Sequence, residues 1–374
     1  MVRKKAVVFL ACPGLGHINR GYESFTRECY DHLKTSSYFN LFLLKGAGRK
    51  TERELKIACI KRSSGFATFI KNIFRFNNYW LEQCSFALGM VPYLIRYRPS
   101  LIYYSDTALG KLLWYLRKLF RFKYKLLLSN GAPAGPVFRN EDHVQQLLEV
   151  YTKQAVDAGT PAEKQTLLPY AFDIAPDCHF KSYSEKNTLK IDLNLPTNKK
   201  IIISVGAINT HHKRMDYIVK EFSALQGGEY FLVLLGHLDS NSQSIIKLAE
   251  KLLQANTYLI KEVSPQEVYK YLSVSDYFIL ASTTEGFGRV LIEAQQFGLM
   301  PIVHNYFVVR EVLKDYAIYG DLTEEKVLAG LIKQVDEANV TKEKLWSYAF
   351  STYSWTSLQS RYEQLIVQNL NSNL

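Results

Sequence analysis

Short apolar runs alternate with segments of helical periodicity in the first half of the chain. The runs at 6–11, 39–45, 101–104 and 125–128 predict buried strands, and residues 21–33 predict a helix between the first two. Each run ends at glycine or small polar residues. Because open parallel sheets bind ligands at the carboxyl ends of their strands, these ends are the expected binding region.

The second half repeats this alternation. Strands are predicted at 201–205, 230–235, 258–260, 275–282 and 301–304, and helices at 216–223, 244–254, 266–272 and 289–297. Between the halves, residues 185–198 are polar and contain a proline, which predicts an interdomain linker. The length of 374 residues also exceeds one ordinary core. We therefore expect two Rossmann-like parallel-sheet domains, at 1–183 and 184–353, followed by a helical segment at 354–374.

Positive charge is concentrated in the first half. The chain has a net charge of +11, and residues 1–180 hold 26 Lys and Arg against 14 Asp and Glu, which gives +12. Residues 181–374 hold 20 and 21, which gives −1. This asymmetry predicts an anionic partner or surface for the N-terminal domain.

The composition argues against several classes of protein. No apolar run approaches the roughly 20 residues of a transmembrane helix, and residues 6–12 lack a cleavage site, so a first strand fits better than a signal peptide. The five cysteines are scattered and odd in number, which favours a reducing cytoplasm over a disulfide framework or a zinc site. No D-x-D triplet is present to hold a divalent cation, so neither a metal nor a cofactor is expected.

The segment 284–301 carries the most specific chemistry. Glu285 and Glu293 are eight positions apart, and Gly286, Phe287 and Gly288 follow the first acid. A strand is predicted before this turn and a helix after it, and the unpaired N–H groups of a helix start beside glycines favour a phosphate. The carboxylates would repel that phosphate, so they are expected to bind hydroxyl groups. A sugar nucleotide satisfies both requirements.

This segment resembles the E-x7-E motif of family-4 retaining glycosyltransferases, since E-G-F-G-x4-E-A is followed by G-x-x-P. The resemblance implies the GT-B fold, in which two Rossmann-like domains face a cleft and a C-terminal helix crosses back to the first domain. It also implies that Glu285 contacts the transferred sugar, that Glu293 binds the nucleotide ribose, and that Gly286, Phe287 and Gly288 line the donor. For the pair of acids alone, a solvated acid and a surface Glu are the alternative interpretation.

Gly206, Lys213 and Arg214 predict a second part of the donor site. Gly206 ends a strand and the two cations open the next helix, where cations and N–H groups suit a pyrophosphate. The pattern resembles the family's donor-phosphate site, although Ala207 occupies the position of the usual arginine. We expect Lys213 to be the main phosphate ligand. Solvated charge at a helix start is the alternative, chiefly for Arg214.

The loop at 13–23 is similar to the glycine-rich first loop of GT-B enzymes. Gly14 and Gly16 are expected to lie under the diphosphate and the acceptor, and the Arg-Gly-x-Glu at 20–23 matches a variant found in the family. His17 is expected either to contact the acceptor or to cap the following helix. The further candidates for the cleft, each with turn capping as the alternative, are Asp106, Asn130 and His143.

Two basic aromatic segments lie at 61–80 and 111–125. In the second, the residues expected to face the sheet are Leu112, Leu113, Leu116 and Leu119, and those expected outside are Lys118, Arg121, Lys123 and Lys125. Such a face is either simply solvated or lies on an anionic membrane. Nucleic acid is not expected as a partner, because no nucleic-acid motif accompanies the charge.

These observations together predict a metal-independent, retaining glycosyltransferase of the hexosyltransferase type. The expected catalytic residues are Glu285, Lys213, Arg214 and His17. The expected donor is a UDP- or GDP-sugar, and the acceptor is a glycan, a lipid-linked sugar or another anionic molecule. A cytoplasmic location is expected, either free or peripheral at the inner face of a membrane. The alternatives are a GT-B epimerase or phosphorylase, or a non-catalytic scaffold that binds anionic partners.

Overall fold

The chain divides into two compact units. Unit 1 comprises residues 1–173 and 354–374, and unit 2 comprises residues 174–353. The computed structural model describes residues 5–18, 20–65, 77–131, 137–225 and 228–372. Part of the basic aromatic segment predicted at 61–80, namely 66–76, lies outside the described residues.

Unit 1 is built on a parallel sheet of seven strands in the order β3-β2-β1-β4-β5-β6-β7. The strands are β1 (Ala6–Cys12), β2 (Phe39–Lys45), β3 (Glu54–Lys56), β4 (Leu101–Tyr104), β5 (Lys125–Asn130), β6 (His143–Gln146) and β7 (Gln165–Leu167). Val8 of β1 pairs with Leu41 of β2 on one side and with Leu101 of β4 on the other. Strands β4 and β5 are buried along their whole length, which explains why their sequences read as continuous apolar runs.

Helices cover both faces of this sheet. They are Gly21–Leu33, Asn78–Tyr97, Thr107–Phe120, Glu149–Asp157 and Trp355–Asn371, with a short 3-10 turn at Ala162–Lys164. Phe86 and Leu113, from the second and third helices, pack with Tyr104 of β4 in one apolar core. The neighbouring residue, Tyr103, points to the opposite face, where the Phe25 ring of the first helix lies 6.4 Å from it.

The last helix, Trp355–Asn371, completes unit 1. The Trp355 N–H donates to the carbonyl of Phe172 at 3.0 Å, and the Trp355 ring stacks on His32 at 4.8 Å. At the other end of the helix, the Lys125 ammonium donates to the carbonyl of Asn369 at 2.8 Å. A cation there satisfies carbonyls that the helix leaves unpaired and opposes the negative end of the helix dipole. The predicted helical C-terminus is thus present, and it belongs to unit 1.

Unit 2 repeats the architecture with a six-stranded parallel sheet in the order β10-β9-β8-β11-β12-β13. The strands are β8 (Lys200–Val205), β9 (Tyr230–Leu235), β10 (Tyr258–Lys261), β11 (Tyr277–Leu280), β12 (Pro301–His304) and β13 (Ile318–Gly320). The helices are Tyr183–Asp192, Met215–Ser223, Ser242–Leu252, Pro265–Val274, Arg289–Gln295, Phe307–Leu313, Leu328–Glu337 and Lys342–Tyr353. The predicted class of two α/β parallel-sheet domains is confirmed.

The prediction of a linker at 185–198 is wrong, because most of that segment is helical. The helix Tyr183–Asp192 begins with a capping box, in which Ser182 Oγ accepts from the Glu185 N–H and the Glu185 carboxylate accepts from the Ser182 N–H at 2.7 Å. Capping residues and the outer face of a surface helix are both polar, so the composition of residues 185–198 is similar to that of a linker. Pro196 comes after the helix has ended.

Two details of the segment 111–125 also differ from the prediction. Leu119 is 74% exposed instead of facing the sheet, and Lys125 is buried instead of lying outside. The inner stripe of the helix consists of Leu109, Leu113 and Leu116, and Leu119 falls off that stripe in the last turn. Lys125 is buried because it begins β5 and its ammonium binds the end of the last helix. Among the described residues, no helix has the length and apolarity needed to cross a membrane.

Candidate functional site

The two predicted donor segments meet at the carboxyl edge of the unit 2 sheet. Strands β8 and β11 are neighbours, and the chain order runs outward from them in opposite directions. Such a reversal is the switch point at which open α/β sheets bind ligands. Lys213 follows β8 and Glu285 follows β11, so the topology places both residues at this point.

Lys213 and Glu285 form an ion pair at that edge. Lys213 Nζ donates to Glu285 Oε1, and the two side chains are 18% and 14% exposed. The residues are 72 positions apart, so the fold creates a contact that no local pattern contains. An ammonium group has three donors, and Lys213 can therefore bind an anion while it still contacts Glu285.

Two glycines make room for the lysine. A Cβ at Gly206 would lie 2.8 Å from Cε of Lys213, which is closer than such atoms approach. Gly236 follows β9, and a Cβ there would lie 1.6 Å from the Gly206 carbonyl oxygen. At Gly236 only glycine fits, because the clash is with backbone, whereas a side chain at Gly206 would displace the Lys213 stem. The ends of β8 and β9 therefore come together directly beside that stem.

Glu293 lies on the helix Arg289–Gln295, which follows Glu285 in the chain. The helix begins after Gly288, whose φ of 82° is left-handed and favours glycine. Glu293 Oε1 is 3.9 Å from Arg289 Nε, and both side chains are mostly buried. The Phe287 ring is buried, and its centre lies 5.7 Å from the centre of the Tyr353 ring. Its side chain therefore belongs to the core, and only its backbone can contact a ligand.

Arg214 is directed towards another part of unit 2. Its Nη1 donates to the carbonyl of Leu322 at 2.7 Å, and its guanidinium lies 4.8 Å from the ring centre of Tyr217. These contacts anchor the start of the helix Met215–Ser223, where Arg214 itself is left-handed with a φ of 48°. They are structural contacts, and the role of Arg214 as a phosphate ligand stays a prediction.

The glycine-rich loop of unit 1 packs tightly after β1. A Cβ at Gly14 would lie 2.2 Å from Glu23 Oε1, and one at Gly16 would lie 2.5 Å from the carbonyl oxygen of Ala47. Gly16 also has a φ of 94°, which favours glycine. Both glycines therefore permit close packing inside unit 1, and their contact with a diphosphate stays a prediction.

His17 is held by a buried acid. His17 Nε2 lies 2.8 Å from Glu82 Oε1, and Arg62 Nε donates to Glu82 Oε2 at 2.7 Å. Burial of Glu82 would raise its pKa, but the hydrogen bonds from Arg62 and His17 outweigh burial and lower the pKa below its usual value. Glu82 is therefore an ionised anchor for the imidazole. The N-cap of the following helix is Arg20, so the capping alternative for His17 is wrong.

Asp106 lies in a pocket of unit 1 between the ends of β1 and β4, which is the switch point of that sheet. It caps the helix Thr107–Phe120 by accepting from the Ala108 N–H at 2.9 Å. It also accepts from the Tyr79 hydroxyl at 2.6 Å and from Gln83 Nε2 at 3.2 Å. Asp106 thus caps a helix, as one interpretation predicted, and its place in the cleft stays a prediction.

Asn130 and His143 are not among the residues that line this pocket. Asn130 Nδ2 donates to Gln146 Oε1 at 2.8 Å, and His143 Nε2 lies 2.8 Å from Thr166 Oγ1. Both bonds join neighbouring strands of the sheet. Burial lowers the pKa of His143, which therefore holds a neutral imidazole at neutral pH.

A family match supports the identification of unit 2. Residues 185–349 match the family described as "Glycosyl transferases group 1". The match covers most of unit 2, the unit that holds the Lys213–Glu285 ion pair at its switch point. No curated protein sequence matches the chain.

Solved structures share the fold over nearly the whole chain. A sucrose-phosphate synthase from Thermosynechococcus elongatus has a TM-score of 0.80 at 14% identity, over 97% of this chain and 99% of that one. HepE from Anabaena, solved with UDP and glucose, has a TM-score of 0.73 at 13% identity, over 97% and 100%. A glycosyltransferase from Rickettsia africae has a TM-score of 0.73 at 14% identity, over 99% and 100%. At these identities the likeness shows the fold, and the predicted GT-B fold is confirmed.

Sequence reasoning missed three residues that surround His17 and Asp106. They are Arg62, Glu82 and Gln83. Glu82 and Gln83 are the available signal, because two adjacent polar residues interrupt the helix Asn78–Tyr97, whose only other charged residue is Arg96. Polar side chains that are fully buried in a helix require partners, and here those partners are functional candidates.

Proposed function

We propose that the protein is a retaining glycosyltransferase that moves a sugar from a nucleoside-diphosphate sugar to an acceptor hydroxyl without a metal ion. The observation that carries this proposal is the Lys213–Glu285 ion pair at the switch point of a domain that matches the group 1 family. HepE, which shares the fold, was solved with UDP and glucose, and this supports a UDP-sugar as donor. A GDP-sugar is the other expected donor.

Each residue of the donor site has a distinct role in this proposal. The Lys213 ammonium binds the diphosphate and stabilises the charge that develops as it leaves. Glu285 accepts hydrogen bonds from hydroxyls of the transferred sugar, and Glu293 accepts from the ribose. Because Lys213 already contacts Glu285, the diphosphate and the sugar meet at one point of the site.

The proposed reaction is one substitution at the anomeric carbon. The bond from that carbon to the diphosphate oxygen breaks, and a bond to the acceptor oxygen forms on the same face. The acceptor proton passes to an oxygen of the departing diphosphate, so the protein supplies no base. Retention of configuration follows from attack on the face that the diphosphate leaves.

A panel of sugar nucleotides separates this proposal from its competitors. The purified chain is incubated with each UDP- and GDP-sugar, and release of nucleoside diphosphate is followed by a coupled assay. A transferase releases the diphosphate slowly into water without an acceptor and faster with one. An epimerase converts the sugar and leaves the nucleotide intact, and a non-catalytic scaffold changes neither.

Removal of divalent cations is expected to leave transfer unchanged. Lys213 supplies the positive charge at the diphosphate, so the reaction needs no cation bridge. Initial rates are compared with and without excess EDTA, and a Mn²⁺-dependent transferase serves as the positive control for chelation. Loss of activity with EDTA and recovery with Mn²⁺ or Mg²⁺ would contradict the mechanism.

Gly206→Ala is expected to lower transfer about tenfold or more, because a catalytic group displaced by an ångström loses its alignment. The added methyl would overlap Cε and Cδ of Lys213, at 2.8 and 2.9 Å. Gly330→Ala is the matched control, since a Cβ there meets nothing within 4 Å and the residue lies within the helix Leu328–Glu337. Equal kcat/KM values for the two variants would show that Gly206 does not position the lysine.

We also propose that unit 1 binds an anionic membrane through one outer surface. The helices Asn78–Tyr97 and Thr107–Phe120 pack on the same apolar core, so their outward residues share that surface. Its exposed apolar residues include Leu88, Ile95, Tyr115, Leu119 and Phe120, and its exposed basic residues are Arg96, Lys111, Lys118, Arg121 and Lys123. We call this set the basic apolar surface.

The charges of the basic apolar surface fit a membrane better than a solvated face. The only acid in its two helices is Glu82, which is fully buried, so the exposed charges are all positive. Leu119 is 74% and Leu88 is 63% exposed, which gives apolar side chains that can enter the headgroup region. Anionic lipid supplies both the negative charge and the apolar phase that this combination requires.

A further inference from the structure

We propose that Arg310 of unit 2 binds an acidic sugar, that is, a sugar unit that carries a carboxylate or a phosphate group. The inference rests on the proposed transfer function and specifies the chemistry of one of its two sugar substrates. Arg310 lies on the helix Phe307–Leu313, which follows β12. Strand β12 is the neighbour of β11, the strand that leads to Glu285, so this helix begins at the same edge of the sheet as the donor site.

The Arg310 guanidinium is held in place by two contacts. Its Cζ atom lies 3.8 Å from the centre of the Tyr319 ring, and its Nε donates to Asn305 Oδ1 at 2.7 Å. Tyr319 belongs to β13, and its hydroxyl donates to the carbonyl of Lys314, so the ring is fixed as well. A side chain that is already held in place loses less conformational freedom when a ligand binds.

The ring contact leaves the hydrogen-bonding edge of the guanidinium available. An aromatic ring covers the face of the guanidinium plane, whereas the five N–H groups point outward within that plane. Nε uses one of them on Asn305, and the N–H groups of Nη1 and Nη2 have no acceptor among the residues that the structure describes. Arg310 is exposed, so a ligand can reach this edge.

No acid of the described residues forms an ion pair with Arg310. Glu311 and Asp315 are the acids closest to it in the chain, and neither is paired with it. Asp321, which follows β13, lies 3.6 Å from His304 Nδ1 instead. A fixed guanidinium without an acid partner suits a carboxylate or a phosphate, which it binds through two parallel N–H···O bonds.

The side chain next to Arg310 on the helix suits a sugar ring. Phe307 is three positions earlier, so the two side chains lie on one face of the helix, and Phe307 is 54% exposed. Its ring offers apolar area against which the C–H groups of a sugar can pack, while the guanidinium binds the charged substituent. An acidic sugar therefore satisfies both side chains.

Acidic and neutral sugars are compared in two separate measurements. Binding of UDP-glucuronic acid and of UDP-glucose to the full chain, measured by calorimetry, reports an acidic group on the donor. Titration of methyl glucuronide, glucose 6-phosphate and methyl glucoside at saturating UDP, followed by ligand-observed NMR, reports an acidic group on a free sugar. We expect an acidic sugar to bind about tenfold or more tightly than its neutral counterpart in one of the two measurements.

The titration of the free sugars is repeated without UDP. Failure of the chain to bind UDP or UDP-glucose would count against the proposed function, and a preference for acidic sugars in this repeat would still stand. The two conclusions are therefore tested separately.

Variants of Arg310 separate its hydrogen bonds from its charge. Arg310→Gln is expected to abolish the preference for acidic sugars, and Arg310→Lys is expected to keep only part of it, because an ammonium cannot form the two parallel bonds. Asn305→Ala removes the Nε contact and is expected to weaken binding of acidic sugars about threefold, with neutral sugars unaffected. Lys333→Gln is the matched control, because it removes an exposed cation of unit 2 that pairs with Glu337 at 3.6 Å.

All three positions are exposed, so the melting temperature of each variant is expected to change little. The proposal is overturned if acidic and neutral sugars bind equally in both measurements or if the neutral sugars bind more tightly. An unchanged preference for acidic sugars in a folded Arg310→Gln would also overturn it.

Discussion

Lys213→Ala is expected to lower kcat/KM for sugar transfer about 10²-fold or more, as removal of a group that stabilises charge in a transition state commonly does. The diphosphate loses the ammonium that is proposed to stabilise its charge, and Glu285 loses the same ammonium as a partner. Initial rates with saturating acceptor measure the effect. The fold should stay intact, because the pair is partly exposed and the neighbouring strands are packed independently of it.

A second lysine in the same region provides the control. Lys220 pairs with Asp216 at 3.8 Å on the following helix and is 55% exposed, so Lys220→Ala removes a cation without touching the site. We expect it to change the rate little, as exposed ion pairs contribute little. If the rate of Lys213→Ala stays within about threefold of the natural chain, Lys213 is not the phosphate ligand. Loss of a group that stabilises charge in the transition state lowers the rate about 10²-fold or more.

Glu285→Gln is expected to reduce transfer by a similar factor with little effect on nucleotide binding. The amide keeps the shape of the side chain but loses the negative charge that faces the sugar hydroxyls and the developing positive charge at the anomeric carbon. UDP affinity by calorimetry, beside transfer rates, separates the two effects. An equal loss of UDP affinity and of rate would place Glu285 at the nucleotide and not at the sugar.

Charge reversal of the basic apolar surface is the other large effect that we expect. Replacing Lys118, Arg121 and Lys123 by glutamate should weaken binding to anionic vesicles at least about 10²-fold, since each basic residue near such a surface contributes roughly 1 kcal/mol. All three side chains are exposed, so the fold should tolerate the change. Co-sedimentation with vesicles of phosphatidylserine and phosphatidylcholine measures it.

The control for this experiment makes the same change of charge in unit 2. Lys247, Lys251 and Lys261 are exposed there, and their replacement by glutamate should leave vesicle binding nearly intact. Binding of the natural chain should also fall with salt, because the Debye length shrinks to about 8 Å at physiological ionic strength. Equal and negligible binding of the natural chain to neutral and anionic vesicles at low salt would exclude the membrane surface.

The parts of the fold that follow from local pattern were predictable. The strands that contain Tyr104 and Leu234 are apolar because both faces of a parallel sheet are covered. The alternation of such strands with helices was enough to predict two α/β domains. The helix Tyr183–Asp192 was missed because its capping box and outer face are polar. Lys125 was misplaced because its partner, the carbonyl of Asn369, is 244 residues away.

In the candidate site, too, the individual residues were predictable from local sequence and their contacts were not. Glu285 and Lys213 were each identified from a strand-turn-helix context, but their direct contact arises from the adjacency of β8 and β11. In unit 1, Asp106 was identified as a candidate, but its partner Gln83 was not. Gln83 belongs to no motif, and its hydrogen bond to Asp106 arises only when the fold brings their two helices together.

The path of the chain through the two units also sets an order for their folding during synthesis. Unit 2 is continuous, from 174 to 353, and can fold as soon as it leaves the ribosome. Unit 1 is discontinuous, because its last helix, Trp355–Asn371, is made after the whole of unit 2. Unit 1 is therefore the last unit to be completed. Until the last helix is made, the surface around Phe25 and Lys125 that this helix buries stays exposed.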